Sequence, residues 1–409
     1  MIDLTSKAAN SNLAKRYAAE RRFKLYGLFS ILLTTLFLAF LLVDIVGKGW
    51  QGFFEHHVSL SVVVDPDKVD RTNISSSDFD AMVKSALKAQ FPEITSHDDK
   101  KRLTSLLSNA AADDLQSQVV ANPKLVGQTV EINALLSGDA DLYYKGVAQS
   151  DNADLLDQLK AKRPIAKAIS WRLWTNGDSR EPEVAGLLGA IKGSLLCVAI
   201  AIFLGLPIGV AASIYLEQFA PKNRWTDLIE VNINNLASVP SIIFGLLGLA
   251  MFLNFFGLPR SAPVVGGMVL ALLVLPTIII ASRAAIKAVP PSIKEAALGV
   301  GASQQQAIFH HVLPLAIPGI LTGTILSIAR AFGESAPLLL IGMVAFIADV
   351  PQGPTDAATV LPIQIYLWST LPELAFKSKT ATAIIVLIAV LMAANAIAIY
   401  LRRKFERRW

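Results

Sequence analysis

Two ionisable side chains, Arg330 and Glu334, interrupt an otherwise uncharged run over residues 312–348. Four residues apart, they are expected on one helix face, with Arg330 near the middle of a membrane-crossing segment. A charge at such a depth costs ~2.5–3.5 kcal/mol on insertion scales, so it marks a functional candidate. The guanidinium is a planar fork of donors matched to a tetrahedral oxyanion. Beside it stand Gly333 and Ser335, at a point where the helix is expected to break. Glu334 would moderate the affinity so that an anion is released, or would accept a hydrogen bond from a protonated oxyanion. A structural ion pair, locking the helix to itself or to a neighbour, accounts for the same residues equally well.

A second constellation lies at residues 290–314, between two long apolar segments. Pro290-Pro291 ends the preceding helix, because proline cannot continue a helix interior. Ser292-Ile293-Lys294-Glu295 has the spacing of a capping box and is expected to start a short helix. Gly299 and Gly301 let that helix stop and turn. Ser303-Gln304-Gln305-Gln306 is a second box, expected to start another short helix that ends before Pro314. A bent element of this kind transmits force when it sits in a partner's groove. Ala296 and Ala297 allow close approach there, and Gln304, Gln305, Gln306 and His310 offer polar contacts. An ordinary connector, with Glu295 serving only as a cap, is the plainer alternative.

Other chemistry is poorly served. The single cysteine, Cys197, falls inside an apolar run and rules out a disulfide framework. The five histidines, His56, His57, His97, His310 and His311, have no metal-ligand spacing. Gly189-Ala190-Ile191-Lys192-Gly193-Ser194 holds the residue types of a phosphate loop in the wrong order. No nucleophile–base arrangement stands in a polar context, so neither a metal site nor a catalytic centre is expected on this chain.

The elements that must position these residues are membrane helices. With 53% hydrophobic and 17% charged residues and a mean hydropathy of +0.50, the 409-residue chain is too apolar for a soluble protein. Apolar runs at 25–43, 193–216, 231–259, 261–282, 312–348 and 380–401 are each long enough to span a bilayer, giving six spans. Lys7, Lys15, Arg16, Arg21, Arg22 and Lys24 before the first, and Arg402, Arg403, Lys404, Arg407 and Arg408 after the last, place both termini in the cytoplasm. The net charge of +5 is this topology signal rather than a nucleic-acid footprint. The first span is too long and lacks a cleavage site, so it is expected to be retained.

The chain is therefore read as a basic tail (1–24), a first transmembrane helix (25–47), an extracytoplasmic segment (48–185), a core of five further helices (186–401) and a basic tail (402–409). In the polar segment, alternation over residues 58–64 predicts a strand. Helices are expected at 77–91 and 101–120, and strands or short helices at 128–136 and 142–147, making a small α+β domain. Several spans hold residues that lipid does not require: Gly205-Leu206-Pro207-Ile208-Gly209, Asn232, Asn234, Asn235, Ser238, Pro240, Ser241 and Pro337. Irregular backbone at membrane depth lines a path or a protein contact. Close packing of small residues explains the glycines equally well.

Glu295-Ala296-Ala297, Gly301 six residues after the glutamate, and Leu313-Pro314 resemble the "EAA loop" by which ABC-importer permeases dock on a separate ATPase. Ala329-Arg330-Ala331-Phe332-Gly333-Glu334-Ser335-Ala336-Pro337-Leu338-Leu339 resembles a segment of phosphate ABC-importer permeases, as do Leu236–Leu246, Leu270–Pro276 and Leu361–Tyr366. The resemblance runs over roughly 185–401 and fits the A-type subunit best. It implies the type I importer fold: all-α, six transmembrane helices, with the α+β domain inserted between helices 1 and 2. It implies a paralogous C-type subunit, two copies of an ATPase that carry the ATP and Mg, an extracytoplasmic phosphate-binding protein, and no cofactor on this chain. It also gives Arg330, Glu334 and Ser335 to the substrate pathway, and Glu295, Ala296, Ala297, Gly301, Leu313 and Pro314 to ATPase coupling. The large outer segment and Arg283, where the family pattern leads one to expect acidic residues, depart from it. A permease for molybdate or sulfate is the near rival. A membrane sensor would need a cytoplasmic output domain, and only eight residues follow the last span. A secondary transporter would leave the loop without a role.

Overall fold

The computed structural model describes residues 7–69, 74 and 77–405, so Arg407 and Arg408 lie outside the described residues. The first helix, α1 (Lys7–Gly49), is longer than the expected span, because the basic stretch before it continues the same helix. Its apolar window is wholly uncovered by protein, as suits a lipid-facing helix. Only its far end is held: Gly49 and Gly52 lie against Ala381 and Thr382, and the Thr382 hydroxyl donates to the Gly49 carbonyl at 2.8 Å.

An α+β unit follows. Strand β1 (Phe54–Val63) is flanked by β2 (Thr129–Leu135) and β3 (Ile165–Ile169), both antiparallel, in the order β2-β1-β3. Alternation in β1 drives Val58, Leu60 and Val62 fully inside. Helix α2 (Phe79–Ala89) is capped by Asp78 and buries Phe79, Met82, Val83 and Leu87 against that face. The helix expected over 101–120 is two helices, α3 (His97–Thr104) and α4 (Ala110–Ala121). Between them Leu107 bridges to Leu136, and the Ser108 amide donates to the Leu135 carbonyl, so sheet pairing overrides helix propensity. In the segment at 142–147, the first three residues close α5 (Gly138–Tyr144) and the rest turn through Gly146 at φ +69°; α6 (Ala153–Lys162) and the short α7 (Arg172–Thr175) complete the unit.

The remaining chain is helical. Helix α8 (Leu188–Ile214) ends in a π turn, Tyr215–Phe219. The expected third span is two helices, α9 (Arg224–Ala237) and α10 (Ser241–Gly248), the second running into a π segment, Leu249–Phe255, with a 99° bend between them. Pro240 causes the break, since it has no N–H to give and forces the preceding residue out of the helical region. Helix α11 (Pro263–Lys287) is the central one. After it come α12 (Pro291–Gly299), α13 (Gln304–Gln306) with a π segment Ala307–Val312, α14 (Leu313–Gly333), α15 (Ala336–Leu340), α16 (Leu361–Thr370) and α17 (Leu374–Phe405). Among the described residues five helices are long and apolar enough to cross a membrane, or six if the bent pair is one span.

Small residues set the core packing. On α8, Gly189, Gly193, Cys197, Ala201, Gly205, Gly209 and Ser213 recur every fourth residue and are all buried. Gly205 and Gly209 lie against Val274, Leu275 and Ile278 of α11. Further along α11, Gly319 and Gly323 of α14 rest on Ala285 and Ala281. Backbones approach closely along such stripes, which is how helices associate where water offers no hydrophobic drive. Cys197 is one step of this stripe. The α+β unit is joined to the core by Lys379 of α17, which donates to the Ala185 carbonyl at 2.6 Å, and by Glu183, which accepts from the Gly138 amide at 3.0 Å.

Candidate functional site

Arg330 lies in the last turn of α14 rather than mid-helix, because the helix stops at Gly333. Glu334 is not on the shared helix face: it follows the end in an extended conformation (φ −81°, ψ 123°). The two side chains still approach, with Nε 3.6 Å from Oε1, too long for a hydrogen bond. Arg330 is 38% exposed at its side chain, and Glu334 20%. Among the described residues no hydrogen bond occupies the guanidinium, so its fork of donors is free to take an anion. Ser335 is the first residue past this break and holds the N-cap position of α15 without a side-chain capping bond; its carbonyl accepts from Leu338 and Leu339. Across from it, Gly245 of α10 lies against the backbone of Pro337, so the two proline-broken segments are packed on each other.

The depth of Arg330 follows from α17. Arg402 donates to the Thr322 hydroxyl at 3.3 Å, which aligns the basic end of α17 with the middle of α14. Arg330 lies two turns beyond Thr322, ~12 Å along the axis, well within an apolar layer ~30 Å thick.

The bent loop differs from expectation in three ways. Helix α12 begins at Pro291 with Pro290 as its N-cap, and Ser292 makes no capping bond; proline's fixed φ already suits the first turn. The turn is made by Gly301 at φ +92°, whereas Gly299 closes the helix without a positive φ. The second helix does not end before Pro314. Leu313 donates to the Ile308 carbonyl in a wide π turn, and the chain continues helically from Gln304 to Gly333. A proline one residue further on is accommodated in the first turn of α14. The capping box at Ser303 forms as expected: Gln306 donates its amide to Ser303 Oγ at 3.2 Å, and Ser303 donates its amide to Gln306 Oε1 at 2.9 Å.

Glu295, Ala296 and Gly301 are exposed near the tip, while Ala297 is buried inside the bend, where its carbonyl accepts from Ala302. Leu313 and Pro314 are half-buried in the following helix, away from that surface. Leu298 and Val300, the latter 87% exposed, add an apolar patch at the tip that sequence reasoning passed over. Two further contacts were also illegible. Lys294 Nζ donates to Gln218 Oε1 at 2.8 Å, and Gln304 Nε2 donates to the Gln218 carbonyl at 2.9 Å, tying both limbs of the loop to the end of α8.

Comparison with known proteins agrees with this layout. Residues 205–409 match the family described as binding-protein-dependent transport system inner membrane component. Residues 10–154 match a domain family of unknown function, DUF3333. The phosphate transport system permease protein PstA 1 of Mycobacterium tuberculosis is 32% identical over 246 residues, covering 60% of this chain and 79% of that protein. A probable ABC transporter permease protein, YqgI of Bacillus subtilis, is 34% identical over 172 residues, 42% of this chain; the chain spans 58% of its length. Among solved structures, the MetNI methionine ABC transporter (19% identity, TM-score 0.42, 54% of this chain and 98% of that one) and an alginate ABC transporter (15%, 0.43, 65% and 86%) are similar. Both likenesses are weak, and neither bears on what this chain carries. Its helical half, its multi-pass organisation and its transport-permease relatives converge: the chain belongs to the family of binding-protein-dependent transport system inner membrane components.

Proposed function

We propose that this chain is the A-type permease subunit of an ATP-driven importer of inorganic phosphate. The observation that carries the reading is Arg330. Its guanidinium is half-exposed at membrane depth, without a hydrogen bond among the described residues, beside the helix break at Glu334 and Ser335. The phosphate permeases among its relatives favour phosphate over molybdate or sulfate. A paralogous C-type subunit would complete the pathway, and an extracytoplasmic phosphate-binding protein would deliver substrate. Both termini face the cytoplasm of a bacterial inner membrane, and the α+β unit at 48–185 lies outside.

In this mechanism two ATPase subunits, which hold the ATP and Mg, grip the exposed tip around Glu295 and Ala296. Their closure moves the loop, and α14 carries the movement to Arg330. Phosphate passes from the binding protein to the guanidinium, which offers paired donors to two oxygens. Glu334, 3.6 Å away, competes for the same donors and keeps the residence short. Hydrolysis on the partners resets the cycle.

The test is ATP-dependent uptake of radiolabelled phosphate by vesicles holding the full complex, with molybdate and sulfate as competitors. Arg330→Gln is expected to abolish uptake in assembled complex, and Arg330→Lys to weaken it, because an ammonium cannot reproduce the fork. Normal phosphate uptake in Arg330→Gln would make the pair structural. Block by molybdate or sulfate would reassign the substrate to that oxyanion.

A further inference from the structure

The sequence left Arg283 without a role, and the structure puts it at a junction. On α11, Arg283 Nε donates to Glu217 Oε1 at 2.7 Å, and its terminal nitrogen donates to Glu230 of α9. The Arg283 and Glu217 side chains are 19% and 17% exposed. Glu217 stands in the π turn that ends α8, and its neighbour Gln218 holds both limbs of the bent loop, through Lys294 and Gln304. Two consecutive residues thus face two ways, one toward the core helices and one toward the loop.

We infer that Glu217, Gln218 and Arg283 form a joint that positions the loop relative to α8, α9 and α11, so that motion of the loop is passed into those helices as well as along α14. This deepens the coupling reading above and rests on it. The physical case is one of geometry rather than stability. Half-buried ion pairs are weak stabilisers, because desolvation offsets much of their attraction, and they serve best to fix one arrangement. Here two acids converge on one guanidinium fork, which constrains direction as well as distance. The loop is bonded on both sides of Gly301, so it moves with the end of α8 as one body. Without the joint, the loop keeps its covalent connections and the apolar cluster of Ile308 with Ile214 of α8 and Ile286 of α11, a contact that fixes direction less tightly than hydrogen bonds do.

The measurement is phosphate taken up per ATP hydrolysed, per assembled complex, in reconstituted vesicles. Arg283→Met is expected to lower that ratio about tenfold, the size of a lost hydrogen bond to a charged group; Gln218→Met, which removes the Lys294 bond but leaves Gln304 on the backbone carbonyl, should lower it less. Arg283→Lys, which keeps the charge but satisfies one carboxylate well, should fall between. Glu217→Gln is the milder variant should Arg283→Met assemble poorly, and it should shift the ratio in the same direction. A merely structural role would lower uptake, hydrolysis and complex yield together and leave the ratio unchanged, which would overturn the joint. Glu295→Ala and Gly301→Val separate the two failures. If they shift the ratio and Arg283→Met does not, the joint is wrong and coupling through the loop stands. If they too leave it unchanged, the coupling reading itself is wrong.

Discussion

Replacing Gly323 by alanine tests the packing that holds the pathway helix in place. The added Cβ would lie 2.2 Å from the Cβ of Ala281 on α11. Carbon atoms rest at ~3.5–4.0 Å, so the two helices must separate by more than an ångström at this level, and neither methyl can swing aside. Overpacking of this kind costs ~1–3 kcal/mol. Alanine's better helix propensity returns about 1 kcal/mol, which leaves a net loss of up to ~2 kcal/mol. The displacement acts two turns below Arg330, so phosphate uptake should fall along with thermal stability of the purified complex. The decisive arm is the swap. Gly323→Ala with Ala281→Gly moves the methyl from one helix to the other, cancels the propensity terms and should recover most of both readouts. A single variant that melts and transports like wild type would refute the reasoning, as would a double variant no better than the single.

Two further outcomes follow from local geometry and charge. Gly301 sits at φ +92° with open space where a side chain would project. Substitution there is therefore a purely conformational insult: Gly301→Asn should keep more phosphate uptake than Gly301→Val, and equal behaviour of the two would remove the argument. In the α+β unit, burial pushes the Glu55 carboxyl up, but its bond with His57 and the charge of Arg172 outweigh burial and hold it below the ordinary 4.5. Burial pulls His57 down, but the bond and charge of Glu55 win and raise it above 6.5. The raised histidine contributes stability below pH 6.5 that is lost as pH rises through its folded value. The lowered acid contributes stability above pH 4.5 that is lost as pH falls through its own. The melting-temperature gap between wild type and His57→Gln should thus be widest between pH 4.5 and 6.5 and narrow at alkaline pH; a gap independent of pH would count against the pair.

Features carried by one residue or by a local spacing were legible before the structure. Pro240 announced a break, Gly301 a turn, Ser303 and Gln306 a cap, and Arg330 with Glu334 a charged pair. Their outcome depended on what surrounds them. Gly333 ends α14 before Glu334, so the pair meets across a helix end instead of along a face. Pro314 looked like a stop, yet the π segment before it absorbs the disruption. The helix over 101–120 divides because Leu107 finds Leu136, a partner supplied by a distant strand. Arg283 was unreadable for the same reason, since its two acids lie 66 and 53 residues earlier in the chain. Gly205 and Gly209 stood out as residues lipid does not require, but only their seat against α11 decides between packing and pathway for them.

The unbroken helix from Gln304 to Gly333 has a mechanical consequence. Its 30 residues make a rod of ~45 Å, seated on α11 where Gly323 meets Ala281. With that seat as fulcrum, the arm toward the loop is ~28 Å and the arm toward Arg330 ~10 Å. The rod is then a lever of unequal arms that trades travel for force at nearly three to one. A loop displacement of ~3 Å becomes ~1 Å at the guanidinium, about the difference between the 3.6 Å separation from Glu334 and a hydrogen bond.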